Sequence, residues 1–472
     1  MFFQEKLDRY RRKKVIRVLC NASPEKFKAA GTRKLPGIFR KALINSPAYL
    51  QIVSQHAPEL LLEKKRNFRL SSLPVLSKEM YLDAFPLRML AGKRTAGIKL
   101  AMTSSGYSGT FAYGFSNRKS PESIRFGVDT TFDYCFNISE KRTFLINCGP
   151  MGVHVETSMP IAEVSVRSDM AIALLKKVSP IYDQTVIIGD PYFMKKLVEE
   201  GDADGIKWKK LNVSLVTAQD WLPESLRSYL AARLEIDPDE NDGRAILTTM
   251  GMTELGINVF HESHTLVKLR REYSRNPELR KRLTNLDMKA PPMFYHYYPF
   301  RHHIETILSE GYPELLFTSL SKDDIIPVIR YSTGDSGSIL NYYELKEKLG
   351  SKYAGLLPDL KLPLGIIMGR TKNRYNVSDK VLHLEDIKEA LFLDAKLAET
   401  ITGLIKVSLN KETPLVDIHL KEKVKITPSL TRIAERDLSD FLQLPVEARL
   451  REYHDFPGAL ELCYEHKLHA RE

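Results

Sequence analysis

Thr103-Ser104-Ser105-Gly106-Tyr107-Ser108-Gly109-Thr110 places five Ser/Thr hydroxyls and two glycines in eight positions. Glycine lets a backbone turn its amides onto an anion, and hydroxyls add donors to phosphate oxygens. The segment is no Walker loop, because G-x-x-x-x-G-K-[ST] does not occur in the chain. Read alone, it suits a phosphate cradle and a plain surface loop equally. Thr249-Met250-Gly251-Met252-Thr253-Glu254 follows the apolar run Ala245–Leu247. A carboxylate beside a hydroxyl suits Mg²⁺, a hard cation held through one or two carboxylates plus phosphates. The simpler reading is a strand-to-helix turn with Thr253 as its cap. Ile329-Arg330-Tyr331-Ser332-Thr333-Gly334-Asp335 follows another apolar run, and Gly369-Arg370 comes later. Asp335 suits the acceptance of two ribose hydroxyls, or ordinary turn chemistry; Gly369-Arg370 suits a linker.

These segments need elements to hold them. From Thr143 onward short apolar runs alternate with helical stretches: Phe144-Leu145-Ile146, Val186-Ile187-Ile188, Val213 to Val216 and Ala245-Ile246-Leu247. Leu226, Leu230 and Leu234 share one helix face. The alternation predicts a mostly parallel sheet with helices on both sides, and ligands bind at the loops leaving such strands. The first hundred residues read as mostly helical, with boundaries at Ser46-Pro47 and Leu73-Pro74. Beyond Gly365 the organisation changes. A helical stretch carries Ile387, Leu391 and Leu397; strands Ile401–Leu409 and Pro414–Leu420 flank a hairpin loop; Ser429 is placed to cap a last helix with Ile433, Leu438 and Phe441. The expected architecture is therefore α/β: a large N-terminal region, 1–368, and a small C-terminal α+β domain, 369–472.

Taken in order, the four segments resemble the adenylate-forming superfamily of acyl-CoA synthetases, adenylation domains and luciferases. That family carries a Ser/Thr/Gly phosphate loop, then [YM]-G-x-T-E, then R-Y-x-T-G-D, then a G-R hinge. The phenylacetate–CoA ligase branch is the most similar, through Leu73-Pro74-Val75-Leu76-Ser77-Lys78-Glu79 and Glu314-Leu315-Leu316-Phe317-Thr318-Ser319-Leu320. The resemblance spans roughly residues 40 to 375, and four ordered motifs are more specific than any one. It implies that Thr103, Ser104, Ser105, Gly106, Ser108, Gly109 and Thr110 hold the β/γ-phosphates of ATP. Gly251 and Met252 would flank the adenine or acyl pocket, Thr253 would contact the α-phosphate, and Glu254 would ligate Mg²⁺. Asp335 would bind the ribose with Arg370 assisting, and Gly369-Arg370 would open the hinge of a mobile C-terminal domain. The implied reaction is ATP-dependent activation of a carboxylic acid, aromatic in that branch, as an acyl-adenylate, with release of pyrophosphate and transfer to CoA. The alternative acceptors are a carrier protein, an amine or a protein cysteine. A nucleotide-binding protein without turnover is a third reading. A homodimer is implied by the branch alone.

Several positions depart from the family pattern. Phe111 follows Thr110 where a Lys or Arg is usual, and Lys372, Asn373 and Arg374 stand where the hinge has an Asp. Gln219 and Asp220 replace a G-A or G-E segment, and no P-x-[ST]-x-G-K segment supplies a catalytic lysine. Lys467 is the nearest candidate by its position, and Cys463 is a late cysteine. His261, His264, His302 and His303 read as polar loop histidines, with a zinc site as the lesser alternative, and Cys148 as an inert buried thiol.

Composition bounds the rest. The 472 residues carry a net charge of +11, with the densest basic run at Arg9, Arg11, Arg12, Lys13, Lys14 and Arg17. That run reads as the solvated face of a helix, without any nucleic-acid motif beside it. Hydrophobic residues at 43% exclude wholesale disorder, and no apolar run reaches the roughly 18 residues of a membrane span. Four scattered cysteines form no C-x-x-C pair, and Met1 to Lys6 is too charged for a secretory leader. A cytoplasmic protein, with no nucleic-acid or membrane partner, is expected.

Overall fold

The computed structural model describes residues 2–61, 68–103, 113–117, 120–150, 152–240, 242–284, 286–309, 311–410, 413–456 and 469–470. Eleven strands form one sheet. Five of them, Ile161–Glu163, Thr143–Asn147, Gln184–Gly189, Val213–Thr217 and Ile246–Met252, lie side by side and parallel. Every residue of Thr143–Asn147, Gln184–Gly189 and Val213–Thr217 is buried. That double-sided burial is why these runs read as continuous apolar stretches rather than as an alternation. The covering helices include Ser120–Phe136, Ser168–Lys177, Pro191–Ala203 and Glu224–Leu234. Leu226, Leu230 and Leu234 of the last are fully buried. Asp190 starts Pro191–Ala203 by accepting from the Tyr192 and Phe193 amides at 2.8 and 3.1 Å, with proline in the first turn.

Parallel pairing stops at Ile246–Met252. The other half of the sheet, Gly256–His261, Met293–Tyr297, Leu364–Arg370, Tyr331–Leu340, Tyr312–Ser319 and His302–Ser309, is antiparallel. Its polar strands were not legible as strands. Tyr331–Leu340 reads Tyr-Ser-Thr-Gly-Asp-Ser-Gly-Ser-Ile-Leu, and it is a strand because neighbours pair with it on both sides. The N-terminal helices pack on this half: Tyr49, Ile52, Val53 and Tyr81 share a buried cluster with Ile329 and Tyr331.

The C-terminal part forms a four-stranded sheet, ordered Glu447–Arg451, Thr413–Leu420, Ile401–Asn410, His469–Ala470, against the helix Pro428–Leu442. The expected strands are present, and Asn410 pairs with Thr413 at the hairpin. Two local expectations are corrected. Thr427, not Ser429, caps Pro428–Leu442, accepting from the Leu430 amide at 3.2 Å; Pro428 occupies the first turn, which moves the start forward. The helical stretch through Ile387 and Leu397 is two helices, Leu384–Ala390 and Ala395–Thr400, because Asp394 starts the second by accepting from the Lys396 and Leu397 amides.

The basic run lies on the N-terminal helix Phe2–Asn21. Arg12 is buried, donates to Ser139 Oγ at 3.1 Å and faces Asp133 and Asp129, while Arg9 and Lys13 pair with Glu140. Part of the run therefore fastens the helix to Ser120–Phe136 and the turn after it. No helix among the described residues is long and apolar enough to cross a membrane.

Candidate active site

Ile246–Met252 has a parallel neighbour on one side and an antiparallel one on the other. In open α/β sheets, ligands bind beyond strand ends where the order switches, because the flanking connections diverge there and leave a crevice. Thr253 and Glu254 sit in the turn between Ile246–Met252 and Gly256–His261. The turn joins two antiparallel strands, so Thr253 caps no helix, and the strand-to-helix reading is corrected. Gly251 is exposed, Met252 is buried, and Thr253 and Glu254 are half-buried.

The other described motifs converge on this turn. Leu100–Thr103 and Tyr113–Ser116 form a two-stranded antiparallel pair in which Thr103 faces Tyr113. That pair brings together the chain on either side of residues 104–112. Gly114, next along, runs so close to the turn that a Cβ there would lie 1.9 Å from the Thr253 carbonyl oxygen. Only glycine permits that approach. From the other side, the Tyr331 hydroxyl donates to Glu254 Oε1 at 2.9 Å. Burial, and then the Glu254 carboxylate, push the Tyr331 phenol well above its ordinary pKa, so it acts as a donor.

Asp335 lies on the same strand as Tyr331 and is buried. It is register partner to Arg370 on Leu364–Arg370, and the Arg370 Nε lies 3.6 Å from Asp335 Oδ1. Thr333 Oγ1 donates to Asp335 Oδ2 at 2.6 Å. Gly334, at φ +76°, turns the strand between them. The Thr371 amide donates to the Gly334 carbonyl at 3.0 Å, so the residue after Gly369-Arg370 is tied to the same bend. The Gly-Asp turn chemistry foreseen for Asp335 is thus a bend within a strand, with the carboxylate inside it.

Three of the motifs are joined by contacts, Glu254 to Tyr331 and Asp335 to Arg370, and Gly114, beyond the Ser/Thr/Gly segment, lies against Thr253. Thr103 contributes its backbone pairing. Ser104, Ser105, Gly106, Ser108, Gly109, Thr110 and Lys467, with Cys463, lie outside the described residues.

Sequence reasoning assigned no role to Tyr331 or Arg330. Arg330 is buried, donates to Glu305 Oε2 at 3.2 Å and to the Ser71 carbonyl at 3.1 Å, and also reaches the Leu73 carbonyl. It thereby fastens the Leu73-Pro74 segment to the strand bearing Asp335. The only signal in the sequence was that both residues stand inside R-Y-x-T-G-D. Asp220, noted as a substituted position, accepts from the Lys388 Nζ at 2.8 and 3.0 Å.

The histidines are not loop residues in the main. His261 and His296 are buried on neighbouring strands as register partners, and burial lowers both pKa values. His264 opens a helix and meets the Cys135 carbonyl at 2.9 Å. Among the described residues no group of three or more His, Cys, Asp or Glu side chains is arranged to hold a metal ion. Cys148 is buried, and burial raises its thiol pKa. For Mg²⁺ the relevant donor is Glu254: Tyr331 engages one carboxylate oxygen, and the second accepts no hydrogen bond among the described residues. A half-buried carboxylate with one free oxygen fits a cation that takes its other ligands from phosphates and water.

No protein-family model matches the chain, and no curated protein sequence is similar to it. Solved structures are similar. A 2-hydroxyisobutyryl-CoA ligase in its postadenylation state, in complex with R3-HIB-AMP, superposes with a TM-score of 0.65 at 10% identity, covering 95% of this chain and 89% of that one. The same ligase in its thioesterification state, with 2-HIB-AMP and CoA, gives 0.52 at 12% identity over 95% and 90%. The anthranilate CoA ligase AuaEII, in complex with anthranoyl-AMP, gives 0.52 at 10% identity over 78% and 66%. The chain has the fold of adenylate-forming acyl-CoA ligases, with a large N-terminal part and a small C-terminal one.

Proposed function

We propose that this protein activates a carboxylic acid with ATP, forming an acyl-adenylate and releasing pyrophosphate, and then passes the acyl group to CoA. The observation that carries this is the set of contacts joining the motifs of Glu254, Asp335 and Arg370 at the switch point of the sheet, with Gly114, just past the Ser/Thr/Gly segment, against the same turn. In this reading Thr103, Ser104, Ser105, Gly106, Ser108, Gly109 and Thr110 cradle the β/γ-phosphates. Thr253 contacts the α-phosphate, and Gly251 and Met252 border the adenine or acyl group. Asp335 accepts the ribose hydroxyls and Arg370 assists. Glu254 holds Mg²⁺, which when bound offsets negative charge on the phosphate oxygens. Lys467 is the candidate cation of the C-terminal domain, 369–472, against an N-terminal domain of 1–368.

Such chemistry needs little covalent participation by the protein. The substrate carboxylate attacks the α-phosphorus, and the bond to the pyrophosphate oxygen breaks. Fixed donors that hold both reactants in line supply most of the acceleration. Burial of Asp335 and its bracing by Thr333 and Arg370 provide that fixity on the ribose side.

By its motifs the chain resembles the phenylacetate–CoA ligase branch, which favours an aromatic acid and a homodimer; the composition favours a cytoplasmic setting. A second reading, transfer to a carrier protein, an amine or a protein cysteine, draws on the region after the hinge. Arg374 donates to Ser336 Oγ at 2.7 Å and stacks 3.8 Å from the Tyr312 ring centroid, holding that region to the large part.

ATP–pyrophosphate exchange with Mg²⁺ across aryl, fatty and amino acids tests the proposal. Exchange with one acid class is expected, and thioester formation on adding CoA separates the two acceptor readings. Glu254→Gln and Asp335→Ala are each expected to reduce exchange at least about a hundredfold, the loss typical of removing one positioned charge from such a site. Full activity in either variant would remove the proposed site.

A further inference from the structure

Tyr331 and Glu254 meet 77 positions apart in the chain, in a bond of 2.9 Å. Tyr331 is 1% exposed. Its backbone is held on both sides of the residue: the Leu76 amide donates to the Arg330 carbonyl at 3.0 Å, and the Ser332 amide donates to the Leu76 carbonyl at 2.8 Å. Tyr331 also pairs with Phe317 in the sheet. A hydroxyl on so fixed a ring cannot follow the carboxylate, so the carboxylate must come to it. Glu254 Oε1 thus carries the Tyr331 hydrogen bond, and among the described residues Oε2 carries none and is open to another ligand.

The two common divalent cations differ in what they ask of a carboxylate. Mg²⁺ demands near-octahedral geometry at about 2.0–2.1 Å and is commonly bound through one or two carboxylates plus phosphates and water, whereas Ca²⁺ takes six to eight oxygens and accepts both oxygens of one carboxylate. A carboxylate with one oxygen already occupied suits the first and handicaps the second.

We propose that Tyr331 is a positioning residue that selects the cation at Glu254, by holding one carboxylate oxygen and so confining the group to single-oxygen coordination. This rests on the reading of Glu254 as the cation ligand. Tyr331 touches neither nucleotide nor acid in this scheme; it acts through Glu254.

The test is calorimetric titration of ATP into the full-length protein with either Mg²⁺ or Ca²⁺ present, for wild type, Tyr331→Phe and Glu254→Gln. The readout is the ratio of ATP affinities with the two cations, which is insensitive to the fraction of protein folded. In Tyr331→Phe the preference for Mg²⁺ over Ca²⁺ is expected to fall about tenfold, the scale on which partners of metal ligands act. Glu254→Gln is expected to weaken binding with both cations. Glu254→Asp, whose shorter side chain cannot reach the Tyr331 hydroxyl, is expected to shift the ratio in the same direction and serves if Tyr331→Phe does not fold. An unchanged ratio in Tyr331→Phe or Glu254→Asp, with weakened binding in Glu254→Gln, overturns the role of Tyr331 and leaves Glu254 in place. No effect of Glu254→Gln with either cation removes Glu254 as the ligand, and the selection with it.

Discussion

Arg330 adopts φ +47°, in the left-handed region that side chains other than glycine rarely enter. Its guanidinium repays the strain by three contacts at once: Glu305, the Ser71 carbonyl and the Leu73 carbonyl. Both partners of the ion pair are largely buried, so water offers little replacement. Removing the guanidinium leaves two carbonyls and a carboxylate underserved. Arg330→Ala is therefore expected to lower unfolding free energy by about 2–4 kcal/mol, below the value for a fully buried pair because Glu305 keeps some solvent. Urea denaturation followed by tryptophan fluorescence measures it. Arg330→Lys should recover little of the loss, because an ammonium cannot reach three separated acceptors from one planar fork.

At the scale of elements, the site is a meeting of strand ends rather than one loop. The two-stranded pair Leu100–Thr103 and Tyr113–Ser116 reaches the Thr253 turn only because Gly114 lacks a Cβ. Gly114→Ala would place a methyl 1.9 Å from the Thr253 carbonyl oxygen, so one of the two must move. Displacing reacting groups by about an ångström costs on the order of a hundredfold in rate. The expected outcome for Gly114→Ala is that scale of loss in pyrophosphate exchange, with a melting temperature close to wild type because the pair is a separate two-stranded sheet outside the eleven-stranded one. A large drop in melting temperature instead would make the close approach a matter of stability. The helix Leu384–Ala390 shows another use of an element. All seven of its residues are buried, four of them charged. Glu389 accepts from the Glu224 and Ser225 amides at 2.8 and 2.7 Å, capping the helix Glu224–Leu234 from outside. Asp386 accepts from the Lys289 and Ala290 amides at 2.9 and 2.6 Å. Lys388 binds Asp220. Glu389 and Asp386 thus cap backbone amides of the large part, and Lys388 pairs with its Asp220 side chain.

At the scale of the molecule, one hydrophobic cluster runs from the parallel strands through Leu384, Ile387 and Leu391 to Ile405, Val416 and Leu438. Tyr192 packs on Gly403, and Lys195 donates to the Ile401 carbonyl at 2.8 Å, so the C-terminal sheet also rests on the large part. The carboxyls at this junction titrate unusually. Burial raises Glu385, Asp386 and Asp190 to about 7. A carboxyl in the unfolded chain titrates near 4. Between these values the folded state binds more protons than the unfolded one, so stability falls as pH rises. The fall should run from about pH 4 to about 7 and level off above. Buried His261 and His296, with lowered pKa values, contribute the opposite slope, so the test is a comparison: in thermal melts across pH 5 to 8, Asp386→Asn is expected to lose less midpoint, or gain more, than wild type as pH rises. Parallel pH profiles for wild type and Asp386→Asn would contradict a raised Asp386 carboxyl.

Much of the frame was determined by sequence alone. The continuous apolar runs specified buried parallel strands, because only a strand covered on both faces dispenses with polar alternation. The leucines at a spacing of four specified the face of Glu224–Leu234, and Ser46-Pro47 marked the start of the helix Pro47–His56. The four motifs marked Thr253, Glu254, Asp335 and Arg370 by residue type and order. What tertiary structure decided was everything that depends on distant partners. Tyr331–Leu340 carries a polar, glycine-broken sequence with the local signature of a turn, and becomes a strand through pairing with Tyr312–Ser319 and Leu364–Arg370. The Thr253 turn faces a strand rather than a helix because Gly256–His261 returns beside it. Tyr331 reaches Glu254, and Lys388 reaches Asp220, across 77 and 168 positions. Local sequence records propensities over a few residues, whereas such contacts arise only when the chain's long-range pairings bring the strands together.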